Sequence, residues 1–328
     1  MRQSCDGTPT EPLKATGPIS GPGLHATTAA RSSSFHKEVK KYNTFTLVSL
    51  YFLHTNMSAK IESATYTHGH HASVVRSHSW RTAQNSIAFL LPHLKPDMKI
   101  LDIGCGPGTI TVDVASLVPQ GHITGLERAG SILTQARANA DAKGVTNIDF
   151  VEGDANALSY ADNTFDVVFC HQVLQHVGDP IGMLTEMKRV VKKGGIVAAR
   201  EADYGVFVWY PEIPGLKEWQ DMYDRIARRN GGEPNAGRML HAWARKAGFS
   251  DVKCSCTMWC YATAEDVKWW SESWVERAVS SSFATTAVEH GICGKEDLER
   301  ISRAWGEWGE HQDAWISIPS AEILCVKE

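Results

Sequence analysis

Ile100-Leu-Asp-Ile-Gly-Cys-Gly-Pro-Gly-Thr109 decides the reading of this 328-residue chain. The apolar run Lys99-Ile-Leu-Asp-Ile103 is stopped by glycines at alternate positions, and residues 109–118 then show helical apolar spacing. That is a buried strand turning into a helix. Gly104, Gly106 and Gly108 let the backbone turn tightly and come close to a ligand. A dinucleotide site wants G-x-G-x-x-G, with a pyrophosphate on the helix N-terminus. Here the spacing is G-x-G-x-G, and Asp102 stands two residues before the first glycine. A carboxylate aimed into that pocket repels a pyrophosphate and suits a cationic or amino-bearing ligand.

The alternation continues toward the C-terminus. His122–Glu127, Ile148–Val151, Phe165–Cys170 and Gly195–Ala199 read as further strands, with helices over 130–143, ended by Gly144, and over Pro180–Val191. Buried strands separated by helices predict an α/β fold, a doubly wound parallel sheet covered on both faces. Its ligand lies beyond the carboxyl ends of the strands, beside the first. Two more acids fall there. Glu127 ends the second strand, where a carboxylate can accept from both ribose hydroxyls. Asp154, in Glu152-Gly-Asp-Ala155, follows the third and can accept from an adenine amino group. Alone, each could be a solvated or helix-capping carboxylate. Acids after three successive strands point together to a nucleoside.

These pieces resemble the class I S-adenosylmethionine-dependent methyltransferases, and within them the ubiquinone/menaquinone-biosynthesis-type group and its fungal-like small-molecule relatives. The resemblance is carried by L-D-I-G-C-G-P-G (101–108), Glu127, G-D-A (153–155), F-D-V-V-F (165–169), L-Q-H-V-x-D (174–179), and K-K-G-G (192–195) before a strand ending in Glu201. It is close over residues 64–205 and looser beyond. It implies a Rossmann-like, mostly parallel seven-stranded sheet with the last strand antiparallel, and S-adenosyl-L-methionine as cofactor. Gly104, Gly106 and Gly108 would cradle the methionine part. Glu127, with Arg128 beside it, would hold the ribose, and Asp154 with Ala155 the adenine. His171 would lie near the amino-acid end and the methyl group. The segments Tyr66–Ser73 and His78–Ala83 are similar to an N-terminal helical cover in that group, where Tyr66, His70 and Arg81 would close over the cofactor and Arg81 could meet a carboxylate.

Methyl transfer from a sulfonium requires an acceptor held in line, and a base only where a proton must leave. His171 and His176, after the fourth strand, and Glu201, ending the fifth, are the candidate catalytic groups. Each has a structural alternative: ring nitrogens satisfying loop carbonyls, or a carboxylate paired with Arg200 or Arg81.

The four N-terminal histidines (68, 70, 71 and 78) lack the supporting acid or Cys spacing of a zinc site, so no metal is expected. Cys254-x-Cys256-x-x-x-Cys260 would face one side of a strand, and a packed sheet face explains it. After Tyr204 the composition shifts: ten of the eleven tryptophans lie from Trp209 onward. Helices over Ala264–Glu289 and Lys295–Trp308 are expected before a last strand at Glu322–Val326. Two or three of these indoles should touch an acceptor, the rest forming a packing seam. The expected organisation is therefore a disordered extension over 1–56, an N-terminal helical cover over 57–98, a cofactor-binding core over 99–205, and a substrate cap with the final strands over 206–328.

A net charge of −4 gives no general attraction to a polyanion. Cys170-His-Gln-Val stands where an amino-base methyltransferase carries Asn/Asp-Pro-Pro-aromatic. The expected partner is a small-molecule methyl acceptor, apolar or aromatic, and not nucleic acid. The rival from another class keeps the cofactor site without methyl transfer, as a scaffold or cyclisation catalyst. No 18-residue apolar run is present, so no membrane span is expected. Scattered cysteines read as reduced thiols in a cytoplasmic protein. The basic, Ser-rich leader leaves a mitochondrial presequence open.

Overall fold

The computed structural model describes residues 64–67, 78 and 80–328. The expected extension over 1–56 and part of the helical cover (57–63, 68–77 and 79), with His68, His70 and His71, lie outside the described residues. Eight strands are seen among them: β1 (Lys99–Ile103), β2 (His122–Glu127), β3 (Ile148–Glu152), β4 (Phe165–His171), β5 (Val191–Ala202), β6 (Val208–Tyr210), β7 (Val252–Tyr261) and β8 (Trp315–Val326). The helices are α1 (Ala83–Ser86), α2 (Thr109–Leu117), α3 (Leu133–Lys143), α4 (Pro180–Val190), α5 (Pro214–Arg229), α6 (Ala236–Lys246), α7 (Ala264–Ser280), α8 (Ser282–Glu289) and α9 (Lys295–Glu310).

Local chemistry sets the helix ends. Gly144 stops α3 at φ +65°, and Asp179 starts α4 by accepting from the Gly182 amide at 2.8 Å, with Pro180 in the first turn. The single helix expected over Ala264–Glu289 is two. Ser281 leaves the helical conformation and its hydroxyl accepts from the Phe283 amide, ending α7 and starting α8.

The strands run in the order β3-β2-β1-β4-β5-β8, with β1 parallel to both β2 and β4 and β8 antiparallel to β5. This is the expected doubly wound sheet with its antiparallel last strand. The order reverses between β1 and β4, which opens a crevice at their carboxyl ends. β7 pairs along the whole far edge of β8. The short β6 pairs with Trp315–Ser317, adding an eighth strand to the expected seven. The last strand also starts earlier than its apolar run suggests, at Trp315, because Pro319 is carried in the ladder with β7 and Ser320 in the ladders with both β5 and β7.

Alternate residues of the central strands feed opposite layers. Ile100, Val167 and Phe169 pack with α2 residues, whereas Leu101, Ile103, Val168 and Cys170 pack with α4 and α6. A third cluster lies in the C-terminal region, built by α5, α7, α8 and α9 around Trp219, Trp274, Trp305 and Trp308. Within the expected cap segment, α6 belongs to the sheet layer instead, through Leu240, Trp243 and Ala244. The cysteine row needs a correction. Cys254, Cys256 and Cys260 do share a face of β7, but that face is exposed among the described residues. No helix among the described residues is long and apolar enough to cross a membrane.

Candidate active site

A cavity of about 550 Å³ opens at the carboxyl ends of β1, β2, β4 and β5. One half is made by loops that follow the first three strands. Gly104, at φ +72°, lies so near β4's exit loop that a Cβ would sit 2.4 Å from Val173 Cγ2. Gly106, at φ +52°, has open space where a side chain would be, so its backbone is bare to the cavity. Its amide donates to Glu127 Oε2 at 3.1 Å, and the Ala129 amide donates to Oε1 at 3.0 Å. Glu127 is thus fixed at the rim of the glycine loop. Asp102 is buried beneath it and accepts from the Thr111 hydroxyl at 2.7 Å. Burial pushes its carboxyl up to about 7. Asp154 accepts from the Asn156 amide at 2.8 Å, and Ala155, Arg128 and Gly108 complete this half or support it. Arg128 also reaches back to the Ala64 carbonyl at 3.4 Å.

The other half is walled by side chains from distant segments: His171 and His176, Tyr204 and Phe207, Trp259 and Tyr261 on β7, and Trp269, Trp270 and Arg277 on α7. Tyr66 meets His78 Nε2 at 3.2 Å and packs its ring edge-on to His176 at 4.7 Å. Arg81 donates to Gln172 Oε1 at 2.6 Å and lies 5.6 Å from the Trp259 ring centroid. The Trp259 indole in turn donates to the Asn85 carbonyl at 2.6 Å, tying β7 to α1. Burial, reinforced by the Arg81 charge, pushes His176 down to about 3 and His171 and His78 well below the usual imidazole range. All three are neutral at pH 7.

Two sequence expectations change. Glu201, expected as a proton acceptor, has both oxygens committed to backbone: Val173 and Leu174 donate at 2.9 Å to one, Gln175 at 3.2 Å to the other. It does not line the cavity; it holds the loop that does. Nor does it pair with Arg200, which lies 3.4 Å from Glu322. His171, the other candidate base, is held by Arg200 Nη1 at 3.0 Å from Nε2. A guanidinium can only donate, so Nε2 keeps the lone pair and the ring proton sits on Nδ1. The imidazole lines the cavity with its Nδ1–H buried and without a partner among the described residues. Arg200 itself donates to Thr257 Oγ1 at 3.0 Å, and Ser255 donates to Glu322 at 2.6 Å, closing a buried network behind His171.

Trp259, Trp269 and Trp270 are the indoles that reach the cavity from the Trp-rich region. Arg277 was not anticipated, although a signal existed. Val267, Trp270, Trp274 and Arg277 fall at helical spacing, so an arginine shares the apolar stripe of α7. Tyr204, Phe207 and Gln172 carried no comparable pattern. Among the described residues no group of three or more His, Cys, Asp or Glu is placed to hold a metal ion.

The sequence profile of the family described as "Methyltransferase domain" matches residues 94–273. An uncharacterized methyltransferase of Schizosaccharomyces pombe is 33% identical over 285 residues, spanning 83% of this chain and all of the relative. The demethylmenaquinone methyltransferase of Bacillus cytotoxicus is 32% identical over 142 residues, covering 43% of this chain and 58% of the relative. Among solved structures, phosphoethanolamine N-methyltransferase 2 of Haemonchus contortus, in complex with phosphomonomethylethanolamine and S-adenosylhomocysteine, is similar at a TM-score of 0.48 and 18% identity, covering 74% of this chain and 52% of that one.

Proposed function

We propose, on the premise that this chain belongs to the methyltransferase-domain family, that it methylates a small planar aromatic metabolite. The chain is an S-adenosylmethionine-dependent methyltransferase, and the identity of the acceptor is the proposal. The observation that carries it is the division of one cavity into a backbone-lined half and an aromatic half.

The backbone-lined half fits the cofactor. The bare amide-rich turn at Gly106 suits the methionine part, Glu127 the ribose hydroxyls, and Asp154 with Ala155 the adenine. Tyr66 and Arg81 stand where the two halves meet, and Arg81 suits a carboxylate. When bound, S-adenosylmethionine supplies a methyl group on a sulfonium, which an acceptor lone pair takes as the carbon–sulfur pair returns to sulfur. The protein's own part is to hold the acceptor in line and exclude water. Glu201 does this indirectly, by fixing residues 173–175, and the Trp259, Trp269 and Trp270 walls do it directly. Flat apolar walls favour a ring, with roughly 25 cal/mol per Å² of buried apolar surface before ordering costs.

Incubation with methyl-labelled cofactor and an extract of small metabolites, followed by mass spectrometry, tests the reading. A labelled aromatic small molecule is expected. Label confined to protein or nucleic acid, or none despite cofactor binding, would overturn it.

A further inference from the structure

On the reading that this cavity holds a methyl donor beside its acceptor, we infer that the acceptor binds as an aromatic oxyanion: a planar ring bearing a phenolate, enolate or carboxylate oxygen. The groups left without partners around the aromatic half are mainly donors. Trp270 Nε1 and Arg81 Nε are buried with no hydrogen-bond partner among the described residues. His171 Nδ1 is in the same state, and it is the nitrogen that carries the proton. Gln175 Oε1 is an acceptor atom that shares this condition on the aromatic side. A buried donor is costly until a lone pair meets it, and an oxyanion offers the strongest one.

Charge points the same way. Arg277 and Arg81 both line the cavity, Arg277 buried and Arg81 half-buried. Arg277 lies 4.8 Å from the Trp274 ring centroid, and burial lowers its guanidinium below the ordinary value. The carboxylates that line the cavity, Asp102, Glu127 and Asp154, belong to the cofactor half, and Glu201 is spent on backbone amides. The nearby imidazoles are neutral. An amine acceptor would enter against the Arg277 guanidinium and the donor's sulfonium. An oxyanion is drawn in by both. Its proton has gone to solvent beforehand. The acceptor lone pair then bonds to the methyl carbon as the carbon–sulfur pair returns to sulfur, so one negative and one positive charge cancel and no proton leaves within the cavity. That accounts for a site whose imidazole gives its Nε2 lone pair to Arg200 and so has none left for a proton.

p-Nitrophenol, a planar aromatic acid that titrates near neutrality with distinct bands for its two forms, is a direct probe. With S-adenosylhomocysteine saturating, protein is titrated into the probe at a pH where free p-nitrophenol is mostly un-ionised. The phenolate band should rise, with the ionisation ratio of bound probe roughly ten-fold above that in solution. Arg277→Met should abolish the rise and Arg277→Lys restore part of it, with S-adenosylhomocysteine binding by calorimetry unchanged. Trp270→Phe, which removes only the N–H, should reduce the rise. A falling phenolate band, or a spectrum unmoved at high protein concentration, overturns the inference. Failure of the wild type to bind S-adenosylhomocysteine overturns the methyltransferase reading instead.

Discussion

The two halves of the cavity are built by opposite rules. The cofactor half uses backbone amides and acids at the ends of β1, β2 and β3, with each element close in sequence to the next. The acceptor half uses bulky side chains gathered from β4, β5's exit, β7 and α7, segments far apart in the chain. Main-chain recognition tolerates few residues at each place, because a glycine at positive φ is strained by most side chains. Side-chain recognition can change wall by wall. The first half therefore reads as a motif and the second as composition.

The sharpest way to break this comparison is to ask whether the tryptophans really divide into seam and wall. Trp305 is fully buried, stacked on Trp274 at 5.9 Å and edge-on to Trp219 at 5.0 Å. Trp305→Ala should cost about 3–5 kcal/mol in urea unfolding. Trp269→Ala, at the half-buried edge of the cavity, should cost about 1–2 kcal/mol and act mainly on acceptor binding. Equal losses of stability would erase the distinction.

Next in size is the cofactor half. Glu127→Ala removes a carboxylate whose charged hydrogen bonds to a ribose are worth about 1.5–3 kcal/mol, so S-adenosylhomocysteine should bind about 10–150-fold more weakly by calorimetry. Its ligand-free stability should fall by no more than about 1–2 kcal/mol, since only the Gly106 and Ala129 amides are freed. Normal binding would put the nucleoside elsewhere.

Asp102 gives a pH test of the same half. Its folded pKa, about 7, lies above the ordinary 3.8. The folded state holds its proton more tightly, so its contribution is fully present below about pH 4 and is lost as pH rises toward 7. Within that window the slope reaches about 1.4 kcal/mol per pH unit. Thermal melts of the ligand-free protein should therefore show a shallower decline over pH 4–7 in Asp102→Asn than in the wild type. Parallel curves would mean the carboxyl is not desolvated.

The smallest effect belongs to His171. Because it offers a donor, His171→Gln, which can also present N–H, should keep kcat within about ten-fold and leave the shape of the pH–rate profile intact. Loss of an acidic limb in that variant would make the imidazole a base and return it to the role its position suggested.

The sheet was legible because its signals are local. The glycine turn, the apolar runs and the acids at strand ends each occupy a few consecutive residues. The cofactor half inherited that legibility. Glu201 was misjudged for a physical reason: an acid at a strand end is equally suited to bind a proton or to gather amides, and only the path of residues 173–175 decides between them. His171 was found but not its protonation, which depends on Arg200 a strand away. The cysteine row failed similarly, since alternation shows which side chains share a face, not whether anything covers it.

One pairing has a bearing on how such a chain can change over time. Tyr261, where β7 ends, lies opposite Ile316, near the start of β8. Everything between them, α7, α8 and α9 included, is topologically the loop of a β-hairpin whose two ends are pinned side by side. Doubling the length of such a loop adds only about 0.6 kcal/mol of closure entropy. Insertion, deletion or wholesale replacement there leaves the register of the sheet untouched, so Arg277 and the α7 indoles sit on a cassette that can be exchanged while the glycine loop stays as it is.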